Sequence, residues 1–281
     1  MVACSLLTPL DGLVGADAHD VADTGADASA EAQSPDAGTD ANDAGTDARD
    51  ASCPSLGGPA MVRTPAGCVD TTEVTQAQYQ QFLASPAPAQ LGECAWNTTF
   101  VPGQQVNGFA CSASLFDPNG TPNHPVRCVD WCDARTFCAW AGKQLCGALD
   151  GGVLAFADFA DGTKSAWMAA CSRAGTQAYP YGPAYTPCAC RGADGWDGGS
   201  GTLPDVKSAP SCVGGYPGIF DMSGDVVEWE GACSGDGGAQ DTCRVRGGDV
   251  TSNASGLACD AGTAGARQGM GGAIGFRCCA P

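Results

Sequence analysis

Three carboxylates crowd the stretch 218–229, which reads Gly-Ile-Phe-Asp-Met-Ser-Gly-Asp-Val-Val-Glu-Trp: Asp221, Asp225 and Glu228. Carboxylate oxygens are hard ligands, and Gly218 and Gly224 let intervening backbone carbonyls turn toward a common point, which is the donor set a calcium ion takes. Such a stretch suits an irregular coordinating loop better than a regular strand or helix. A surface turn whose acids merely face water has the same composition, so the residues alone leave both readings open.

Other chemistry is sparse. The chain has two histidines, His19 and His124, too few for a hydrolase triad or a histidine-rich metal site. It contains no Gly-x-Ser-x-Gly elbow and no His-Glu-x-x-His helix. Asp and Glu number 31 against 13 Lys and Arg, for a net charge of −18, and no basic cluster occurs. Phosphate binding needs cations on one face, so a nucleic-acid partner is excluded.

Eighteen cysteines in 281 residues, without paired Cys-x-x-Cys spacing, point to an exported, disulfide-held protein. Residues 1–15 look like the residual end of a bacterial lipoprotein signal, with Ala3 before Cys4 and Ser5 after it. Cys4 is then expected to carry lipid and anchor the chain to an outer membrane; an incidental terminal cysteine is the alternative. No apolar run is long enough to span a membrane. Residues 16–52 repeat Asp-Ala-Gly-Thr units without aromatic residues and with nearly all charges negative, which reads as a disordered, self-repelling tether.

All tryptophan, tyrosine and phenylalanine lies beyond Cys53, so residues 53–281 form the domain that must hold the acidic loop in place. Thr71–Val74 reads as extended, and Thr75 with Gln78 starts a helix to about Leu83. Residues 86–127 read as long loops. Asp130 or Trp131 opens a second helix closed by Gly142, and a third runs near Ser165–Ser172. Arg244–Arg246 and Ile274–Cys278 read as strands. Trp96, Trp131, Trp140 and Trp196 could line a cleft or, for the helical pair, fill the core.

Four segments together resemble one family. They are Glu73-Val74-Thr75 running to Phe82, then His124-Pro125-Val126-Arg127-Cys128-Val129-Asp130-Trp131 continuing to Leu145. The acidic loop to Trp229 follows, and Arg246-Gly247-Gly248 with Gly275-Phe276-Arg277-Cys278 completes the set. In order and spacing they are similar to the formylglycine-generating enzyme, or sulfatase-modifying factor, domain over roughly residues 59–279. The resemblance implies an irregular α+β, C-type-lectin-like fold with little regular secondary structure and many disulfides.

It also implies structural Ca²⁺ held by Asp221, the carbonyls of Gly224 and Val226, and Glu228, with Asp225 a neighbour. A second calcium position is implied near 190–205. There Arg191 replaces the usual asparagine, and Asp194 and Asp197 are acids that could compensate. Disulfides are implied at Cys138–Cys278 and Cys171–Cys259; sequence proximity adds Cys53–Cys68, Cys94–Cys111 and Cys233–Cys243. With Cys4 lipidated, one of the other seventeen cysteines would be free or intermolecular.

The family's oxidation uses copper on two thiolates, whose positions here are Ser252 and Leu257, while its active-site serine is Asp249. Hydroxyl and alkyl groups do not replace soft thiolates, which argues against copper and against formylglycine formation. The expectation is an exported module that binds a protein, peptide or glycan. An enzyme working through a different site, or a structural surface module, are the alternatives.

Overall fold

The computed structural model describes residues 53–54, 57–86, 88–90, 92–103, 111–194 and 203–281; Cys4, the segments 1–15 and 16–52, Trp196 and Asp197 lie outside them. Each of the three described α-helices begins on a side-chain cap. In α1, Gln76–Leu83, the Thr75 hydroxyl accepts from Gln78 N–H while the Gln78 side chain accepts from Thr75 N–H. Helix α2, Trp131–Trp140, has the same reciprocal box built from two acids, Asp130 and Asp133. Helix α3, Ala166–Ser172, is capped by Ser165 and ends at Arg173 in a left-handed conformation. Each cap is worth about 1 kcal/mol, a large share of what a helix this short can contribute.

Two four-stranded sheets flank these helices. Strands β1 (Met61–Thr64), β2 (Gly67–Asp70) and β3 (Gln144–Leu145) join β8 (Cys278–Ala280) in the order β1-β2-β8-β3. Strands β4 (Val227–Cys233), β5 (Thr242–Arg246), β6 (Gly262–Ala266) and β7 (Ile274–Phe276) form the second sheet in the order β6-β5-β4-β7. The β4–β7 pair is parallel, with Glu228 opposite Gly275, and the β4–β5 pair is antiparallel, with Glu228 opposite Arg246. Tyr79, Phe82, Phe137 and Phe276 meet between the sheets and helices with ring centroids 5.3–6.3 Å apart. Edge-to-face pairs of this kind add about 1 kcal/mol each beyond the area they bury.

The mixed α+β class, with few regular elements and many disulfides, is the architecture read from the sequence. Several local expectations are corrected. Thr71–Val74 is no strand; Val74 instead exchanges isolated bonds with Phe276 and Val126. The stretch 218–229 is irregular only to Val226, because Glu228 and Trp229 belong to β4, where pairing on both sides takes up their backbone. The run Ile274–Cys278 breaks at Arg277, whose buried side chain marks the crossing from β7 in one sheet to β8 in the other.

Sixteen of the seventeen described cysteines pair with one another in eight bridges, and none of the described cysteines is free; the expectation of one left over turns on Cys4, which lies outside the described residues. Cys138–Cys278, Cys171–Cys259, Cys53–Cys68 and Cys233–Cys243 pair as anticipated. Cys94–Cys111 does not form. Glu93 pairs with Arg135 and Asn97 donates to Asp133, which docks the short turn Gly92–Cys94 on α2, so that Cys94 meets Cys132 and Cys111 pairs with Cys128. Cys146–Cys279 and Cys190–Cys212 were not foreseen. This density of bridges belongs to an oxidising compartment outside the cytoplasm. No helix among the described residues is long and apolar enough to cross a membrane.

Candidate functional site

Arg277 is the hub around which the acidic loop is built. It is fully buried, and its Nε lies 2.9 and 2.8 Å from the two carboxylate oxygens of Glu228 while Nη2 donates to Oε1 at 2.7 Å. Its remaining donors reach the carbonyls of Asp70, at 3.3 Å, and Asp221, at 3.0 Å. Trp167 Nε1 of α3 donates to Glu228 Oε2 at 2.8 Å. Glu228 therefore ties β4, α3 and the β7–β8 crossing together. An ionised carboxylate has about four lone-pair sites, and this one already accepts four contacts.

The other acids are differently placed. Asp221 and Asp225 both sit in the left-handed region, each with φ of 56°, a conformation aspartate tolerates better than most residues. Gly224 between them has φ of 85°, and a Cβ there would collide with the backbone of Arg191. Asp221 Oδ2 accepts from the Lys207 N–H, but its Oδ1, like Asp225 Oδ1, is buried without a hydrogen bond. Glu73, just ahead of α1, has both carboxylate oxygens buried and without hydrogen bonds, its nearest cation being Arg277 Nη2 at 3.8 Å. Burial pushes the Asp221 carboxyl up to about 6, and burial with the neighbouring acids raises Asp225 and Glu73 well above the usual carboxylate range.

Four buried carboxylates, those of Glu73, Asp221, Asp225 and Glu228, thus face two guanidiniums, Arg277 and Arg191. If all are ionised the group carries a deficit of two positive charges in a desolvated place, where an unpaired carboxylate costs several kcal/mol. The donor chemistry fits a hard divalent ion. Among the described residues no three acid, histidine or cysteine side chains converge on one point, so carbonyls must make up most of such a shell. Glu73, Trp167 and Arg277 were not assigned here from the sequence. Their signal was faint: one acid inside the Thr-Thr-Glu-Val stretch, and a motif arginine without a stated partner.

Of the two positions implied for copper, Ser252 lines a cleft of about 410 Å³. Phe159, Val227, Val245, Arg246, Gly262 and Thr263 line it together with the segment from Gly247 and Gly248 through Ser252, Asn253, Ser255 and Gly256 to Asp260 and Ala261. Ser252 Oγ donates to Asp249 Oδ1 at 3.0 Å and accepts from Asp249 N–H at 3.0 Å, so Asp249 and Ser252 close a small turn on each other. Leu257 is buried, and Cys259, the nearest cysteine, is held by Cys171. These residues do not fit a copper ion. Arg246 lines the cleft but is committed to Glu230, at 3.0 Å, and to the Cys259 carbonyl, at 2.7 Å.

Trp131 is core-like. It is buried, its Nε1 donates to the Glu230 carbonyl, and it also lines a separate cavity of about 360 Å³. Trp140 packs on the aromatic core.

Comparison with known proteins supplies the family and the fold. Formylglycine-generating enzymes of Thermomonospora curvata and Mus musculus are each 32% identical over 120 residues, 38% of this chain and 33% and 27% of theirs. The chain therefore aligns with a third or less of the length of these curated relatives. The solved structure of PvdO from Pseudomonas aeruginosa shares the fold, with a TM-score of 0.51 at 20% identity over 75% of this chain and 79% of that one. The family model described as the sulfatase-modifying factor enzyme 1-like domain matches residues 28–280. The chain belongs to that family.

Proposed function

We propose that this chain is an extracytoplasmic, calcium-stabilised member of its family that binds an extended peptide without oxidising it. The observation that carries this reading is the cleft beside Arg246-Gly247-Gly248. It is about 410 Å³ in volume and walled by the apolar side chains of Phe159, Val227 and Val245 together with the polar groups of Ser252, Asn253 and Asp260, while the two thiolate positions are Ser252 and Leu257. A cleft of this size and polarity matches a recognition site. Copper(I) chemistry needs soft thiolates, and every described cysteine is already in a disulfide.

Calcium is held by Asp221 and the carbonyls of Gly224 and Val226, with Glu228 sharing an oxygen between the ion and Arg277. The ion neutralises the buried acids and so fixes the loop from which β4 departs into the cleft wall. Lipidation at Cys4 would set the domain at a membrane surface, with the segment 16–52 as its spacer.

The test uses a fluorescent Cys-x-Pro-x-Arg peptide. Saturable binding is expected, and Thr263→Trp, which places a large ring on the exposed β6 wall of the cleft, should abolish it without lowering the melting temperature. No saturable binding, or binding that Thr263→Trp leaves unchanged, contradicts the assignment.

A further inference from the structure

The second calcium position implied near residues 190–205 carries Arg191, whose side chain is committed to other protein groups. Arg191 Nη2 donates to Ser208 Oγ at 3.0 Å, and its Nε stands 3.8 Å from Asp225 Oδ1. The side chain is 14% exposed. Its backbone lies against Gly224 in a parallel bridge, and its carbonyl accepts from Asp225 N–H at 3.2 Å. One residue thus joins three segments: its own, the segment carrying Lys207 and Ser208, and the acidic loop. Cys190–Cys212, one position away, staples the first two covalently.

Asp194, the one of the two acids named for this position that lies among the described residues, is turned elsewhere. Asp194 Oδ2 accepts from Tyr185 Oη at 2.5 Å and from Cys188 N–H at 2.7 Å. A divalent ion beside Ser208 and Asp225 would face a guanidinium at contact range, and two like charges do not share such a place.

We infer that the Arg191 guanidinium is a built-in cation that stands in for a second calcium ion, closing with protein charge a junction that the family closes with metal. It supplies positive charge to Asp225 and a directed donor to Ser208, roles a bound ion would fill by coordination. The consequence is a chain that keeps this junction shut when calcium is scarce, while its acidic loop still responds to the ion. The inference rests on the calcium reading for that loop, and its test separates the two.

Bound calcium per chain is counted by elemental mass spectrometry after equilibrium dialysis, on the intact protein and on Arg191→Asn and Arg191→Lys. The expected counts are one for the wild type, two for Arg191→Asn and one for Arg191→Lys. A wild-type count of zero sinks the loop assignment, whereas a gain of one ion in Arg191→Asn still decides for Arg191. An unchanged count in Arg191→Asn, or an added ion in Arg191→Lys, overturns the inference. If Arg191→Asn unfolds in chelator, refolding in excess calcium supports the substitution of ion for guanidinium, and failure to fold in either condition refutes it.

Discussion

Glu228→Ala is the perturbation whose outcome the geometry fixes most firmly. A calcium ligand that did nothing else would, on truncation, remove the response to calcium and leave the calcium-free protein as stable as before. Glu228 does more, because it is the carboxylate on which the buried Arg277 rests and the acceptor for Trp167 Nε1. Removing it leaves a guanidinium at 0% exposure without its main partner. Breaking one side of a buried pair costs about 3–5 kcal/mol. In a domain of this size each kcal/mol moves the melting temperature by roughly 2–4 °C, so a fall of about 6–20 °C is expected. The assay is thermal unfolding followed by circular dichroism, in excess chelator and again in excess calcium. The drop should appear in both. A variant that melts within about 3 °C of wild type in chelator would refute the hub role given to the Glu228–Arg277 pair.

Three further outcomes follow from other contacts. Cys138–Cys278 and Cys146–Cys279 close nearly the same loop, with separations of 140 and 133 residues. Deleting either alone therefore opens only a short ring and costs about 3 kcal/mol, while deleting the second opens a loop that Cys171–Cys259 shortens to roughly 50 residues and costs about 4, measured by urea unfolding of paired Cys→Ala variants. Equal costs for the two steps would contradict the shared-loop argument. Burial holds the Asp221 carboxyl up to about 6, so protons compete with calcium below that pH. Affinity measured by calorimetry should fall on going from pH 7 to pH 5. For the calcium-free protein the sign is opposite: an acid raised on folding contributes stability that is full below its unfolded value near 4 and is lost as pH rises through about 6. Chelated protein should therefore melt higher at pH 5 than at pH 7. Glu73→Gln removes one uncompensated buried charge, so in chelator at pH 7 it should melt above wild type, and a lower melting point would count against the charge deficit.

Much of the frame was legible because local signals and family motifs agreed. Thr75 with Gln78 announced α1, and Asp130 or Trp131 at one end with Gly142 at the other bracketed α2. What stayed hidden was set by distant partners. Nothing near Cys94 says that Glu93 and Asn97 will anchor it to α2 rather than leave it beside Cys111. Nothing in Gly-Thr-Ala-Gly-Ala or Val-Glu-Trp predicts strands whose pairing comes from across the chain, which is why β6 and β4 went unread. The acidic loop illustrates both sides: its carboxylates were evident from their spacing, but the commitment of Glu228 to Arg277, 49 residues away, required the fold. Glu73 was reached in the same way, through burial and not through any pattern around it.

The central claim is that this scaffold keeps the cleft of its family without the thiolate pair. It is tested most directly by incubating the purified protein with copper(I), oxygen and a Cys-x-Pro-x-Arg peptide and following the peptide mass. The account predicts that the peptide is bound and recovered with its cysteine unoxidised to aldehyde. Accumulation of the aldehyde product, in proportion to enzyme and abolished by heat inactivation, would contradict it.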